Sequence, residues 1–166
     1  MNETVLLLNT VLASGSIVLV ILGVLLLLDI FLWKRTMFAT LVDSYGVVLA
    51  GLLTIGASLT ALVYSDIFGF VPCGFCWFQR ILLFPQALML PTAYFFKEKN
   101  VAIYGLVLSV PGLIISIYHH YIQMGGSNLV GCPTAGPGAD CAKRIIFEFG
   151  FVTFPFIAGT LFFFLT

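Results

Sequence analysis

Charge is what this sequence has least of. Of 166 residues, seven are Lys or Arg and seven are Asp or Glu, so the formal charges cancel. A soluble domain carries about 25% charged residues, against 8% here, which excludes an ordinary water-facing surface. Without a basic excess, nothing points to nucleic acid as a partner. Linkers are lacking too: no low-complexity tract, soluble domain or internal repeat interrupts the chain. The opening residues Met1-Asn2-Glu3-Thr4 contain no basic side chain, and Lys34-Arg35 follow the first apolar run instead of preceding it. A cleaved signal peptide needs a basic start, a shorter apolar core and a small-residue cleavage site, so that reading is set aside.

What is present is apolar: 61% of the residues are hydrophobic, and they fall in long runs. From Val5 to Trp33 the only charge is Asp29, and an apolar run of this length reads as a membrane-spanning helix. A second span runs from about Tyr45 to Tyr64, with Gly46, Gly51, Gly56, Ala57 and Ser58 as small residues that let helices approach closely. A third runs from Cys73–Cys76 to about Phe96, and a fourth from Val101 to Tyr121. Pro85 and Pro91 in the third and Pro111 in the fourth predict kinks, because each removes an intrahelical bond. Ala142 to Phe149 mixes basic and large apolar residues and reads as a short interfacial helix. A last, short span covers Phe151 to Leu165. The whole chain, 1–166, is thus one integral, all-α membrane domain. Lys34-Arg35 and Lys97-Glu98-Lys99 mark the cytoplasmic turns, which leaves the N-terminus outside and the C-terminus inside. Arg80, Lys143, Arg144 and all four cysteines then share the outer side.

Four cysteines on one side make sense mainly if that side is oxidising. Cys73 and Cys76 form a CxxC at the start of a helix, where the positive end of the helix dipole favours a thiolate. Pro72 suits the helix entry. Arg80 lies one turn after Cys76 on the same face, and an arginine at the membrane edge requires an anionic or polar partner. Cys132 and Cys141 stand in a Gly-, Pro- and Ser-rich loop that reads as flexible, with Lys143 and Arg144 following to favour the Cys141 thiolate. A bond between them would close a loop of about ten residues, a stabilisation of roughly 2.7 kcal/mol that a helical bundle could forgo in each cycle. Two such pairs invite disulfide exchange.

Electrons arriving at Cys76 need a sink, and a lipid-soluble acceptor could reach it from the bilayer. Arg80 could bind a carbonyl oxygen of that molecule, and His119 or His120 could do the same or supply protons. The plainer reading of the histidines is interfacial anchoring beside Tyr118 and Tyr121, and Trp77 and Phe78 read as belt residues. A zinc site is disfavoured, since the spacing of Cys132 and Cys141 makes no second knuckle. A tetraspan-like scaffold with structural disulfides or a zinc site is the alternative to an oxidoreductase.

The segment Cys73-Gly74-Phe75-Cys76-Trp77-Phe78-Gln79-Arg80 resembles the signature of the DsbB/BdbC family of bacterial membrane thiol oxidases. Tyr118-His119-His120 and Asp140-Cys141-Ala142-Lys143-Arg144 are similar to that family's later motifs, and the resemblance covers about Tyr45 to Thr166. It implies a four-helix transmembrane bundle in the bacterial plasma (inner) membrane, to which Val5–Trp33 is an extra N-terminal helix. It also implies reoxidation of a DsbA-like thioredoxin-fold partner, with electrons passed to a quinone, either ubiquinone or menaquinone. By position, Cys132 is the cysteine exchanged with the partner, and Cys141 hands electrons to Cys73. Cys76 faces the quinone, which Arg80 binds with His119 or His120. In the quinone-linked relatives of vitamin K epoxide reductase, the loop cysteines precede the CxxC; here they follow it.

Overall fold

Inside a bilayer every backbone N–H and C=O must find a partner within the protein, and apolar runs meet that demand as helices. The protein, seen here as a computed structural model, is described for residues 3–32, 37–98, 100–133 and 138–166. Trp33, Lys34, Arg35 and Lys99, used above for span and topology, lie outside the described residues. The helices are α1 (Glu3–Leu32), α2 (Met37–Leu62), α3 (Gly74–Phe96), α4 (Val101–Gln123) and α5 (Phe154–Leu165). A single π turn, Val63–Ile67, prolongs α2. The protein is an all-α membrane protein. Among the described residues, three segments, Glu3–Asp29, Tyr45–Ile67 and Val101–Gln123, are long and apolar enough to cross a membrane on length and composition.

Two expectations need correction. Ala142 to Phe149 is not helical. It ends in strand β1 (Phe147–Glu148), which pairs antiparallel with β2 (Val152–Thr153) in the register Phe147↔Thr153. Between the strands Phe149 (φ 54°) and Gly150 (φ 78°) are both left-handed, and Phe151 N–H returns to the Glu148 carbonyl at 3.2 Å. Positive φ at both central positions gives a turn the hand that a hairpin needs. The buried β-branched Ile146 and Val152 favour the extended backbone. The second correction is to a boundary: α5 begins at Phe154, not Phe151, with Thr153 as its N-cap and Pro155 in the first turn, whereas the second span begins at Tyr45 within α2 as expected. The helices continue through Pro85, Pro91 and Pro111.

The helices pack in the sequence α1–α5–α4–α3–α2, and α1 meets α2 only slightly. Small residues set the close approaches: a Cβ at Gly112 of α4 would run into the Phe162 ring of α5. Between α3 and α4, Gln79 donates to Ser116 at 2.9 Å, and two helical turns away Ser109 donates to Gln86 at 3.1 Å. These buried rungs set the antiparallel register, because a slip would strand four polar groups in an apolar interior.

Candidate redox site

Cys73 is the N-cap of α3, with extended backbone (φ −76°, ψ 173°), and its Sγ accepts the Cys76 N–H at 3.4 Å. A thiol thus takes the capping position usually held by Ser or Asp, which sets its sulfur at the positive end of the helix. Pro72 consequently lies just before the cap and not in the first turn. Cys73 and Cys76 are free thiols, with their sulfurs 3.0 Å apart. Cys73, which precedes α3, is held well below the ordinary thiol range, first by the hydrogen bond from Cys76 and then by His119, against the opposing effect of burial.

Cys132 and Cys141 are joined by a disulfide, with Cα atoms 5.9 Å apart. The two cysteine ends of their loop are packed on the bundle, although its composition suggested a free segment. Cys141 is buried in one apolar cluster with Cys73, Phe75 and Ile122, and Cys76 and Cys132 pack against that cluster. Gly74 makes this docking possible. A Cβ there would overlap the carbonyl and Cβ of Pro133, so only glycine between the two thiols lets the Cys132 loop settle on the helix end.

His119 is fully buried, its Nε2 3.5 Å from Cys73 Sγ and 3.1 Å from the Cys141 carbonyl. His120 points elsewhere: its Nδ1 meets Thr153 Oγ1 at 2.8 Å, and the same hydroxyl caps α5. Arg80 Nη2 donates to the Ala61 carbonyl at 2.7 Å, and its guanidinium lies 5.4 Å from the Trp77 ring. The polar partner required by this arginine is therefore a backbone carbonyl, next to the π turn where bonding lengthens to five residues, as in Phe68 N–H to Val63 O. Arg144 donates to the Gln123 carbonyl at 2.7 Å and so ties the end of α4, where chain proximity had suggested support of Cys141.

A cavity of about 610 Å³, mostly apolar, runs between α1, α2, α3 and α5 and reaches Cys73, Cys76 and Arg80, with Asp140 and Lys143 also in its lining. Gln123 also lines it, buried, with its Nε2 donating to the Lys143 carbonyl and an Oε1 that has no hydrogen-bond partner among the described residues. Neither His119 nor His120 is among the lining residues. Cys73, Cys76 and His119 hold ligand atoms within 4.8 Å of one another. A four-cysteine metal site is nevertheless not formed, because Cys132 and Cys141 are bonded to each other. Gln123 and Gly74 had no role in the sequence reading. The available signals were a polar residue at a helix end within the membrane zone and a glycine inside a CxxC.

Residues 43–163 match the family described as Disulfide bond formation protein DsbB. The chain belongs to the DsbB family. Among DsbB relatives, the Probable disulfide formation protein C of Halalkalibacterium halodurans is 39% identical over 111 residues, covering 67% of this chain and 80% of the relative. The Disulfide bond formation protein C of Bacillus subtilis is 38% identical over 102 residues, 61% of this chain and 73% of its own. The Probable disulfide formation protein C 2 of Bacillus anthracis is 31% identical over 120 residues, 72% and 84% of the two chains. No solved structure matches. Together with the apolar helices, DsbB membership makes this a multi-pass membrane protein of disulfide bond formation, with a thiol oxidoreductase role. α1 lies before the DsbB match.

Proposed function

We propose that this protein reoxidises an extracytoplasmic, DsbA-like thioredoxin-fold dithiol and passes the electrons through its two cysteine pairs to a membrane quinone. The observation that carries the reading is the double contact of the CxxC. On one side Cys73 shares a buried cluster with Cys141, and on the other Cys73 and Cys76 open onto an apolar cavity beside Arg80. The cavity's residues fit a quinone. Its volume of about 610 Å³ falls in the range of small-molecule sites, its walls are mostly apolar, and a guanidinium stands in it with Gln123, whose Nε2 donates to the Lys143 carbonyl while its Oε1 stays open to accept a hydroxyl proton of the reduced form.

A partner thiolate attacks Cys132, the half-exposed sulfur of the loop disulfide, and releases Cys141 as a thiolate. The second partner thiol resolves that mixed disulfide, which leaves the partner oxidised and Cys132 and Cys141 reduced. Cys141 then attacks Cys73 of a Cys73–Cys76 disulfide, and Cys132 closes back onto Cys141, so two electrons and two protons rest on the CxxC. The sulfurs are in that state here, with the loop pair bonded and the CxxC pair free. A bound quinone supplies a two-electron, two-proton sink as Cys73 and Cys76 close their disulfide. Arg80 orients a carbonyl oxygen by hydrogen bond. His119 serves the thiol side, between Cys73 and the Cys141 carbonyl, and His120 holds the start of α5. Both cysteine pairs face the extracytoplasmic side, with the C-terminus in the cytoplasm.

The test is quinone reduction by the purified protein given a reduced thioredoxin-fold substrate. Turnover that needs both supports the reading, and quinone-independent oxidation of the substrate refutes it. For orientation, a membrane-impermeant thiol reagent should label the reduced loop cysteines in intact cells; labelling only after permeabilisation reverses the topology.

A further inference from the structure

Helix α1 lies outside the DsbB match, yet it is not a detached anchor. Its buried positions Val5, Asn9, Ala13, Ser16 and Gly23 recur at helical spacing and form one small, partly polar stripe on an otherwise apolar rod. The stripe is seated on the bundle. A Cβ at Gly23 would stand 2.9 Å from the Phe163 ring of α5, and the Tyr64 phenol at the π turn hydrogen-bonds Asn9 Oδ1. Tyr64 itself lines the cavity that reaches the CxxC, as do Leu12, Gly15, Ser16 and Leu19 of α1. Across from them stand Leu52 and Gly56 of α2.

The two glycines face open space. A Cβ built at Gly15 or at Gly56 meets nothing within 4 Å, although both positions belong to the cavity wall. The cavity is thus polar at the Arg80 and Gln123 end and apolar along the loosely packed seam between α1 and α2.

We propose that α1 is a wall of the electron-acceptor site: it holds the isoprenoid tail of the quinone in the α1–α2 seam while the ring lies at the Arg80 end. The proposal rests on the quinone reading above. It makes α1 the element that selects acceptors by their tail. Without α1 the seam would be open to lipid, and a tail would have only α2, α3 and α5 to pack against.

The test uses the full chain in lipid vesicles and two acceptors, a long-tailed quinone and its tail-less ring analogue. A quinone carrying an aryl azide at its tail should label a peptide from α1 on illumination, and the unmodified long-tailed quinone should suppress that label. Gly15→Leu should raise the ratio of long-tailed to tail-less KM at least tenfold, and Gly56→Leu should do the same from the opposite wall. Leu7→Ala, on the lipid-facing side of α1, should leave the ratio as it is. Label confined to α2–α5, or an unchanged ratio in both glycine variants, overturns the assignment. The labelling arm uses the native chain, so it decides even if a variant does not accumulate. If the native protein reduces neither acceptor, the quinone reading itself falls and takes this inference with it. If it reduces both and α1 stays unlabelled, only the inference falls.

Discussion

His119 Nε2 stands 3.5 Å from Cys73 Sγ and 3.1 Å from the carbonyl oxygen of Cys141, so one imidazole touches both cysteine pairs. A carbonyl only accepts, which assigns the proton to Nε2 and leaves Nδ1, buried and without a partner among the described residues, as the bare nitrogen. The N–H aimed between the two groups favours a thiolate on Cys73, in addition to the Cys76 donor and the helix end.

His119→Ala should therefore raise the pH at which reduced Cys73 becomes reactive. The sign follows from the lowered pKa: a donor to the thiolate is lost, the thiol form gains, and alkylation of Cys73 shifts to higher pH. The profile is best read by iodoacetamide labelling in a Cys76→Ser background, compared with and without the histidine. An unmoved midpoint would mean that His119 does not act on this sulfur.

Gly74→Ala should uncouple the two pairs, because its methyl group takes the place of Pro133. Turnover driven by the protein partner is expected to fall at least tenfold. Turnover driven by a small dithiol, which reaches the CxxC without the loop, should fall much less. Equal losses would indicate a folding defect in place of an undocked loop.

Arg80→Ala should raise the quinone KM by about one to two decades, the equivalent of roughly 1.5–3 kcal/mol for a lost charge-assisted hydrogen bond. Arg80→Lys should recover only part, since a point charge lacks the guanidinium fork that reaches the Ala61 carbonyl and lies against Trp77. A wild-type KM in Arg80→Ala would remove this residue from the acceptor site.

Trapping should separate the cysteine roles. Cys132 is half-buried and Cys141 is 1% exposed, so the partner should meet Cys132 first. Cys141→Ser is expected to accumulate a reductant-sensitive adduct on Cys132, and Cys132→Ser far less. Cys76→Ser should keep thiol exchange and lose quinone reduction. An adduct on Cys73 or Cys76 would reverse the relay.

Gln86→Leu should cost the bundle about 1–2 kcal/mol, through the lost bond to Ser109 and a hydroxyl left in an apolar interior. Denaturant unfolding in detergent would report it. The companion Gln86→Leu/Ser109→Ala should recover part of the loss, because no polar group is then stranded.

The sequence alone determined the membrane class, the long helical segments and the thiol oxidoreductase class. These are written locally: an apolar run must form helix in lipid, and a CxxC at a helix start carries its own field. Arg80, one turn after Cys76, was legible for the same reason. What only the tertiary structure decided depends on which helix faces meet. Gln79 and Gln86 read as isolated polar residues until α4 brings Ser116 and Ser109 to them. His119 and His120 are adjacent in the chain, but successive helical positions point about 100° apart, so one reaches Cys73 and the other Thr153. The loop with Cys132 looked free because its composition is that of a mobile segment; its Cys132–Pro133 end is held because Gly74 leaves room for Pro133. The role of α1 was the least legible, since an apolar helix shows no face in its sequence until Asn9 meets Tyr64 and Gly23 meets Phe163. Burial of small and polar residues, which periodicity of hydrophobic residues does not report, marks that face.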